Sequence, residues 1–300
     1  MTSTSTLRAI LAMIVSMGVF VASDTCIKLG LADAPLFQLI VMRSLFSILI
    51  CLGLIVALGQ AGSLGRILNP WLLARGIFET GANFSFTIAL GFVAIADLTA
   101  IVQTCPLFVL LGAWFFRGER LGWQRIGLIL LGIVGALLVA QPGASAASPF
   151  AALAFITALS SATRDLITPN VPRDMPPLVA TLAVLVVLTL AGAVGTLAFE
   201  TQVMPESGSI WLMAFAGAAG VAGHVFLYIA YRIGPARSVA PFMYTLMIWA
   251  VLSGLLLFGD VPNTLAIAGM VLVALAGLAI IWLDGHQRKT AARVAVETLG

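Results

Sequence analysis

The chain has 300 residues, of which 61% are hydrophobic and only 9% charged, with a formal net charge of +3. A water-soluble domain needs about a quarter of its residues charged to wet its surface, so a lipid bilayer must cover this one. The small basic excess is scattered over loops and not gathered on a face, which excludes nucleic acid as a partner.

A span takes about 20 apolar residues, and the apolar runs 7–29, 35–58, 70–92, 95–116, 123–140, 149–167, 178–199, 210–232, 237–258 and 264–283 predict ten transmembrane helices. Prolines mark the starts: Ala34-Pro35, Asn69-Pro70, Ser148-Pro149 and Pro176-Pro177 each put proline near a first helical turn, where its missing N–H costs nothing. Only Arg117-Gly118-Glu119-Arg120-Leu121-Gly122 separates the fourth and fifth runs. Cys26, Cys51 and Cys105 lie inside apolar runs without CxxC or metal-ligand spacing, so they read as packing residues. No metal and no cofactor is expected.

Basic residues set the orientation. With both termini on one side, that side collects thirteen of them, from Arg8 and Arg66 to Arg288, Lys289 and Arg293, while the other side has Lys28 alone. Both termini are therefore expected in the cytoplasm. Arg8 ahead of an apolar run also resembles a signal peptide, but an internal repeat speaks against cleavage. Shifted by 141 residues, Asp24 falls on Asp165, Pro35 on Pro176, Ala89 on Ala230, Gly118 on Gly259 and Glu119 on Asp260. The halves are then 1–143 and 144–283, followed by a basic cytoplasmic tail, 284–300. Five spans is an odd number, so the second half inserts upside down, as in secondary transporters made of inverted repeats.

At these residues the chain resembles the drug/metabolite transporter superfamily, in its EamA-type, ten-span branch. The resemblance is carried by Ala89-Leu90, Pro106 and Gly118-Glu119-Arg120-Leu121 leading to Gly127 and Gly132, and by Ala230-Tyr231, Gly234-Pro235-Ala236 and Gly259-Asp260 leading to Gly269 and Gly277. It covers nearly the whole chain, and departs from the pattern at Met247, where Pro106 predicts proline, and at Asp260 in place of glutamate. It implies export of small metabolites, often amino acids, across a bacterial inner membrane. Within the branch the chain is most similar to the YddG-like exporters of aromatic amino acids and dicationic herbicides.

Ionisable residues inside spans are costly in lipid and mark bundle interiors or wet cavities. Arg75, Glu79, Asn83 and Thr87 follow at i,i+4 spacing on one face of span three. The repeat counterparts of the last three are Gly220, His224 and Tyr228 on span eight. Glu79 lies ~13 Å in from Pro70 along the helix, near mid-membrane, where such transporters hold their solute. Each residue also has a plainer reading: Arg75 and Glu79 as an intrahelical ion pair, Asn83 as interhelical glue, His224 as a packing histidine. Arg43, ~12 Å into span two, is either a partner for Glu79 or Asp24 or an anchor for a solute carboxylate. Asp24 and Asp165, near Lys28 and Arg164, read as helix-end or gate contacts. Gln103, its counterpart Tyr244, and Trp249 would supply an aromatic wall by stacking and cation–π contact, or face lipid. Gly127, Gly132 and Gly135 with Gly269 and Gly277 read as close helix packing, in a scaffold or a dimer contact. Both monomer and homodimer stay open.

The leading expectation is a secondary exporter with alternating access, its partners a small-molecule solute and the bilayer. The alternative of the same fold is multidrug or organic-cation efflux. No GxxxxGK[ST] loop is present for ATP. Proton antiport through Glu79 or His224, and facilitated diffusion, both remain open. An intramembrane enzyme would need HExxH, facing aspartates or Ser with His, and His224 has no second histidine in a span. A receptor or assembly factor would need a larger loop or tail.

Overall fold

The computed structural model describes residues 3–117, 122–140, 150–172, 174–233 and 240–297, and these contain helices and no strand. The helices are α1 (Ser3–Gly30), α2 (Leu36–Ala57), α3 (Pro70–Leu90), α4 (Ile95–Val102), α5 (Cys105–Arg117), α6 (Trp123–Ala140), α7 (Ala151–Ile167), α8 (Pro177–Phe199), α9 (Ser207–Ile233), α10 (Thr245–Ser253) and α11 (Thr264–Glu297). Among the described residues, Thr6–Gly30, Leu36–Ala57, Ile95–Phe116, Pro177–Phe199 and Ser207–Leu227 are long and apolar enough to cross a membrane, and Ile126–Val139, Phe242–Phe258 and Thr264–Ile280 are shorter apolar helices. The protein is an all-helical membrane protein.

Helix starts follow the local chemistry. Pro70 opens α3 behind Asn69, whose side chain accepts the Trp71 N–H at 3.0 Å. The free N–H groups at the start of α2 are met by a residue distant in sequence: Phe37 and Gln38 donate to the two Glu200 oxygens at 2.8 and 3.0 Å. Two predicted segments are not simple helices. The fourth is interrupted at Gln103 and Thr104, between α4 and α5, with the Thr104 hydroxyl turned onto the Ile101 carbonyl at 2.7 Å. The ninth begins with a 3-10 turn, Ala240–Tyr244, and ends in a π turn, Gly254–Phe258. Gly259 closes that turn at φ 68°, a left-handed conformation that favours glycine. The matching Gly118-Glu119 turn and the Gly234-Pro235-Ala236 motif lie outside the described residues. The last helix continues past the predicted end at 283 to Glu297.

In the bundle, α1 packs on α9, α2 on α8 and α9, α3 on α7 and α8, α5 on α7, α10 on α1 and α4, and α6 on α11. The main apolar core surrounds the buried α4 residues Ile95, Leu98 and Ile101, while Leu49, Phe115, Leu190 and Leu256 point outward to lipid. Small residues set the tightest crossings. A Cβ on Gly217 of α9 would stand 2.8 Å from the Arg43 carbonyl oxygen of α2, and one on Gly135 of α6 would stand 2.9 Å from the Gly269 carbonyl of α11. Gly135 and Gly269 thus pack helices within the chain, whereas Gly127 has nothing near it.

Gly217→Val should therefore push α9 off α2 and destabilise the protein by about 1–3 kcal/mol, the usual cost of overpacking. Gly53→Ala, where nothing lies within 4 Å, should be neutral or stabilising by up to ~1 kcal/mol. Thermal unfolding of the purified variants in detergent checks both.

Candidate functional site

Neither α3 nor α7 is among the apolar stretches, and these two helices, packed together, carry most of the ionic groups of the interior. α3 contributes Arg75, Glu79 and Asn83, and α7 contributes Arg164 and Asp165 beside a row of hydroxyl side chains. Each helix alone would be expensive in lipid; facing each other, they pair their charges.

Glu79 meets Arg164 in an ion pair, Nη1 to Oε2 at 2.6 Å, with both side chains about one-fifth exposed. Arg164 also donates through Nε to Asp165 at 2.8 Å, so one guanidinium holds two carboxylates by different edges. Asp165 in turn has the Cys105 thiol at 3.9 Å, on the start of α5. The intrahelical Arg75–Glu79 pair foreseen as the plain reading is not formed: Arg75 stays within electrostatic reach of Glu79, Arg164 and Asp165, but its buried Nε has no partner.

Arg43 of α2 reaches α3 from another side. Its Nη2 donates to the Asn83 Oδ1 at 2.6 Å, and the Asn83 amide donates back to the Glu79 carbonyl at 3.3 Å. Asp24 of α1 lies within electrostatic reach of Arg43. His224 of α9 stands with its ring edge-on to Phe20, centroids 5.0 Å apart. It lies within electrostatic reach of Glu79, Arg75, Arg164 and Arg43, which sit on three other helices, yet it is exposed. His224 thus stands at the edge of the ionic cluster with part of its ring accessible. Neighbouring α9 is anchored by hydrogen bonds to its carbonyls, from Ser16 to Gly223 at 2.7 Å and from Ser23 to Ala216 at 2.9 Å.

Arg43, Glu79, Asn83 and His224 are thus brought together. The remaining expected residues sit elsewhere. Gln103, at the break in the fourth segment, donates to the Met243 carbonyl at 3.3 Å. The Tyr244 hydroxyl occupies the space a Gly277 side chain would take, on α11. Trp249 donates from its indole to the Ile14 carbonyl at 3.1 Å and lies across Gly18 of α1. The side chain of Tyr228 lies outside the described residues. Lys28, read as a neighbour of Asp24, instead pairs with Asp260 at 3.2 Å and lies 4.5 Å from the Phe258 ring centroid. The residue that sequence reading missed as a centre of the site is Arg164. Its only signal was a charge inside a hydroxyl-rich, weakly apolar segment, and that segment's partner helix is distant in sequence.

A helical membrane bundle with a paired ionic cluster in its interior fits the architecture of a solute transporter. The model of the EamA-like transporter family matches residues 7–141. A riboflavin transporter of Rhizobium johnstonii is 31% identical over 79% of this chain and 78% of its own length. The pseudopaline exporter CntI of Pseudomonas aeruginosa is 26% identical over 87% of this chain and 91% of its own. An S-adenosylmethionine uptake transporter of Rickettsia prowazekii is 24% identical over 83% of each chain. One solved crystal structure shares the fold, with a TM-score of 0.59 at 20% identity over 94% of this chain and 98% of that one. The chain belongs to the EamA-like family of the drug/metabolite transporter superfamily.

Arg164→Leu leaves Glu79 and Asp165 without their shared cation and should destabilise the protein by about 3 kcal/mol. Combining it with Glu79→Gln should recover a good part of that loss, because the more deeply buried of the two stranded charges is then gone. Detergent melting curves of the two single variants and the double variant measure the coupling.

Proposed function

We propose that this chain is a ten-span secondary transporter of two inverted five-helix repeats, 1–143 and 144–283. In this reading it exports small metabolites, first among them neutral and aromatic amino acids, across a bacterial inner membrane by alternating access. The carrying observation is the Glu79–Arg164–Arg43–Asn83–His224 cluster, ionic yet drawn from four helices of the bundle, with an exposed histidine at its edge.

The repeat register draws support from contacts. The hydrogen bond from Ser16 to the Gly223 carbonyl at 2.7 Å has a counterpart 141 residues away in each partner, from Thr157 to the Ala82 carbonyl at 3.4 Å. A Cβ on Gly217 would meet Phe46, and one on its counterpart Gly76 would meet Val187, the counterpart of Phe46. Thr25 bonds Ser253 at 2.6 Å, and their counterparts Leu166 and Gly112 also touch. The two interrupted segments break at Gln103 and at its counterpart Tyr244, where discontinuous helices of transporters form their sites. The family model itself spans 7–141, one repeat.

Alternation of ten spans also agrees with the loop contacts. The exposed pair Arg66–Asp174, 2.9 Å, joins two loops on the cytoplasmic side and holds the Asp174 carboxyl below the usual carboxylate range. Glu200 with the start of α2, and Lys28 with Asp260, join loops on the periplasmic side. Phe92 stacks on Phe150 at 3.9 Å on that same side. Release into the periplasm requires these last contacts to part.

In the cavity, Glu79 and His224 face the ammonium of the solute, and Arg43 and Asn83 fix the register of the polar wall. A proton can move through Glu79 or His224, or the solute can run down its own gradient. The support for an organic metabolite comes from relatives named for riboflavin, pseudopaline and S-adenosylmethionine.

Counterflow in proteoliposomes tests the solute. Labelled phenylalanine should exchange saturably, with Glu79→Gln and Arg43→Ala folding but losing most of the exchange. Exchange of a dicationic herbicide alone would establish organic-cation efflux instead, and no exchange of either would refute the solute class. Topology is tested separately with single cysteines in a chain freed of its own three. A cysteine at Gly62 should label only in inverted vesicles, and one at Met204 only in whole cells; labelling of both from one side would refute ten alternating spans.

A further inference from the structure

Three arginines lie in the cluster, and two are committed. Arg164 is held by Glu79 and Asp165, and Arg43 by Asn83. Arg75, one turn before Glu79 on α3, makes no hydrogen bond or ion pair among the described residues, and its Nε is buried without a partner. The residue as a whole is only half-buried, so its guanidinium reaches open space while one of its donors is sealed off and unmet. The natural candidate for pairing is Glu79, but Arg164 takes that carboxylate at 2.6 Å. A buried guanidinium donor without an acceptor is unusual, and the planar fork of arginine suits the two oxygens of a carboxylate or phosphate.

Resting on the transporter reading, we propose that Arg75 is the docking point for an oxyanion, a carboxylate or phosphate carried by the solute. The committed pairs on either side fix its place. Arg164 keeps Glu79 from collapsing onto Arg75, so Arg75 keeps its donors for the solute. The solute's anionic group lies on α3 one turn from Glu79, which leaves the rest of the molecule to extend toward His224, itself within electrostatic reach of Arg75. Arg43, being occupied by Asn83, sets the wall and does not grip the anion.

The purified full chain in detergent is treated with phenylglyoxal, which adds to free guanidinium groups, and adducts are mapped by mass spectrometry. Arg75 should react, and benzoate or inorganic phosphate should slow its reaction about fivefold at four times the probe's Kd, by simple occupancy. The exposed Arg8 should react at an unchanged rate. Protection by benzoate alone identifies a carboxylate, and protection by phosphate alone identifies a phosphate. An unreactive Arg75, or one that neither anion protects, overturns the proposal. In counterflow, wild type should prefer phenylalanine over phenylalaninamide about tenfold, the value of one charge-assisted pair, and Arg75→Met should abolish the preference while Arg75→Lys keeps part of it. Protection of Arg75 without any phenylalanine exchange would fault the amino-acid reading and leave the anion subsite standing.

Discussion

The ion pair between Glu79 and Arg164 is the constraint on which the interior depends. A carboxylate and a guanidinium placed separately in hydrocarbon each carry a large desolvation penalty, and removing either from a buried pair strands the other. The two must therefore be inserted as partners, which ties α3 to α7 across 85 residues of sequence. Once α3 and α7 are so joined, the remaining polar groups of α3 are turned the same way by helical periodicity. Asn83 then meets Arg43 of α2, and the bundle acquires a polar centre. α8 has no such demand, and it and the apolar side of α2 present leucines such as Leu190 and Leu49 to lipid.

The corresponding contact between α9 and α1 is made without charge. Under the 141-residue shift Glu79 becomes Gly220 and Arg164 becomes Ser23, and a Cβ on Gly220 would lie 3.8 Å from the Ser23 hydroxyl. One crossing is thus held by an ion pair and the other by close approach and hydroxyl-to-carbonyl hydrogen bonds, Ser16 to Gly223 and Ser23 to Ala216. Two chemistries support the same helix geometry. The cluster is consequently one-sided: its charges come from α2, α3 and α7, while α9 contributes a small-residue surface and the single ring of His224.

Much of the fold was legible in the sequence because lipid imposes a simple rule. Long apolar runs must be helices, and the helix starts at Pro70 and Pro177 were marked by proline. The polar stripe on α3 was legible for the same reason, since four side chains at i,i+4 spacing need only helical periodicity. Partner choice was not legible. Glu79 had Arg75 one turn away and took Arg164 instead; Lys28 had Asp24 one turn away and took Asp260 instead. In both cases a contact across helices displaced one within a helix, and nothing in one chain's sequence ranks the two without the crossing geometry. The interruptions at Gln103 and Tyr244 were equally silent, since neither contains glycine. Aromatic identity misled in another way. Trp249 and Tyr244 fill the hollows over Gly18 and Gly277, so their size answers a packing demand set by the glycines.

The fold recurs among transporters named for quite different solutes, in both the uptake and the export direction. Such latitude follows from how the contacts are divided. Those that hold the helices together use carbonyls, hydroxyls, glycines and the Glu79–Arg164 pair, and these are satisfied within the protein with no need of a solute. Among the described residues of the ionic cluster, the groups left over after that satisfaction are few: the exposed ring of His224, the unmet donor of Arg75 and the Glu79 oxygen that Arg164 does not hold. A solute can be recognised only through donors and acceptors that the bundle has not already used, because competing for a committed pair means breaking it in a poorly solvated interior. Selectivity in this architecture therefore resides in the uncommitted residues. Changing a handful of them alters what is carried without disturbing the packing that makes the bundle stable.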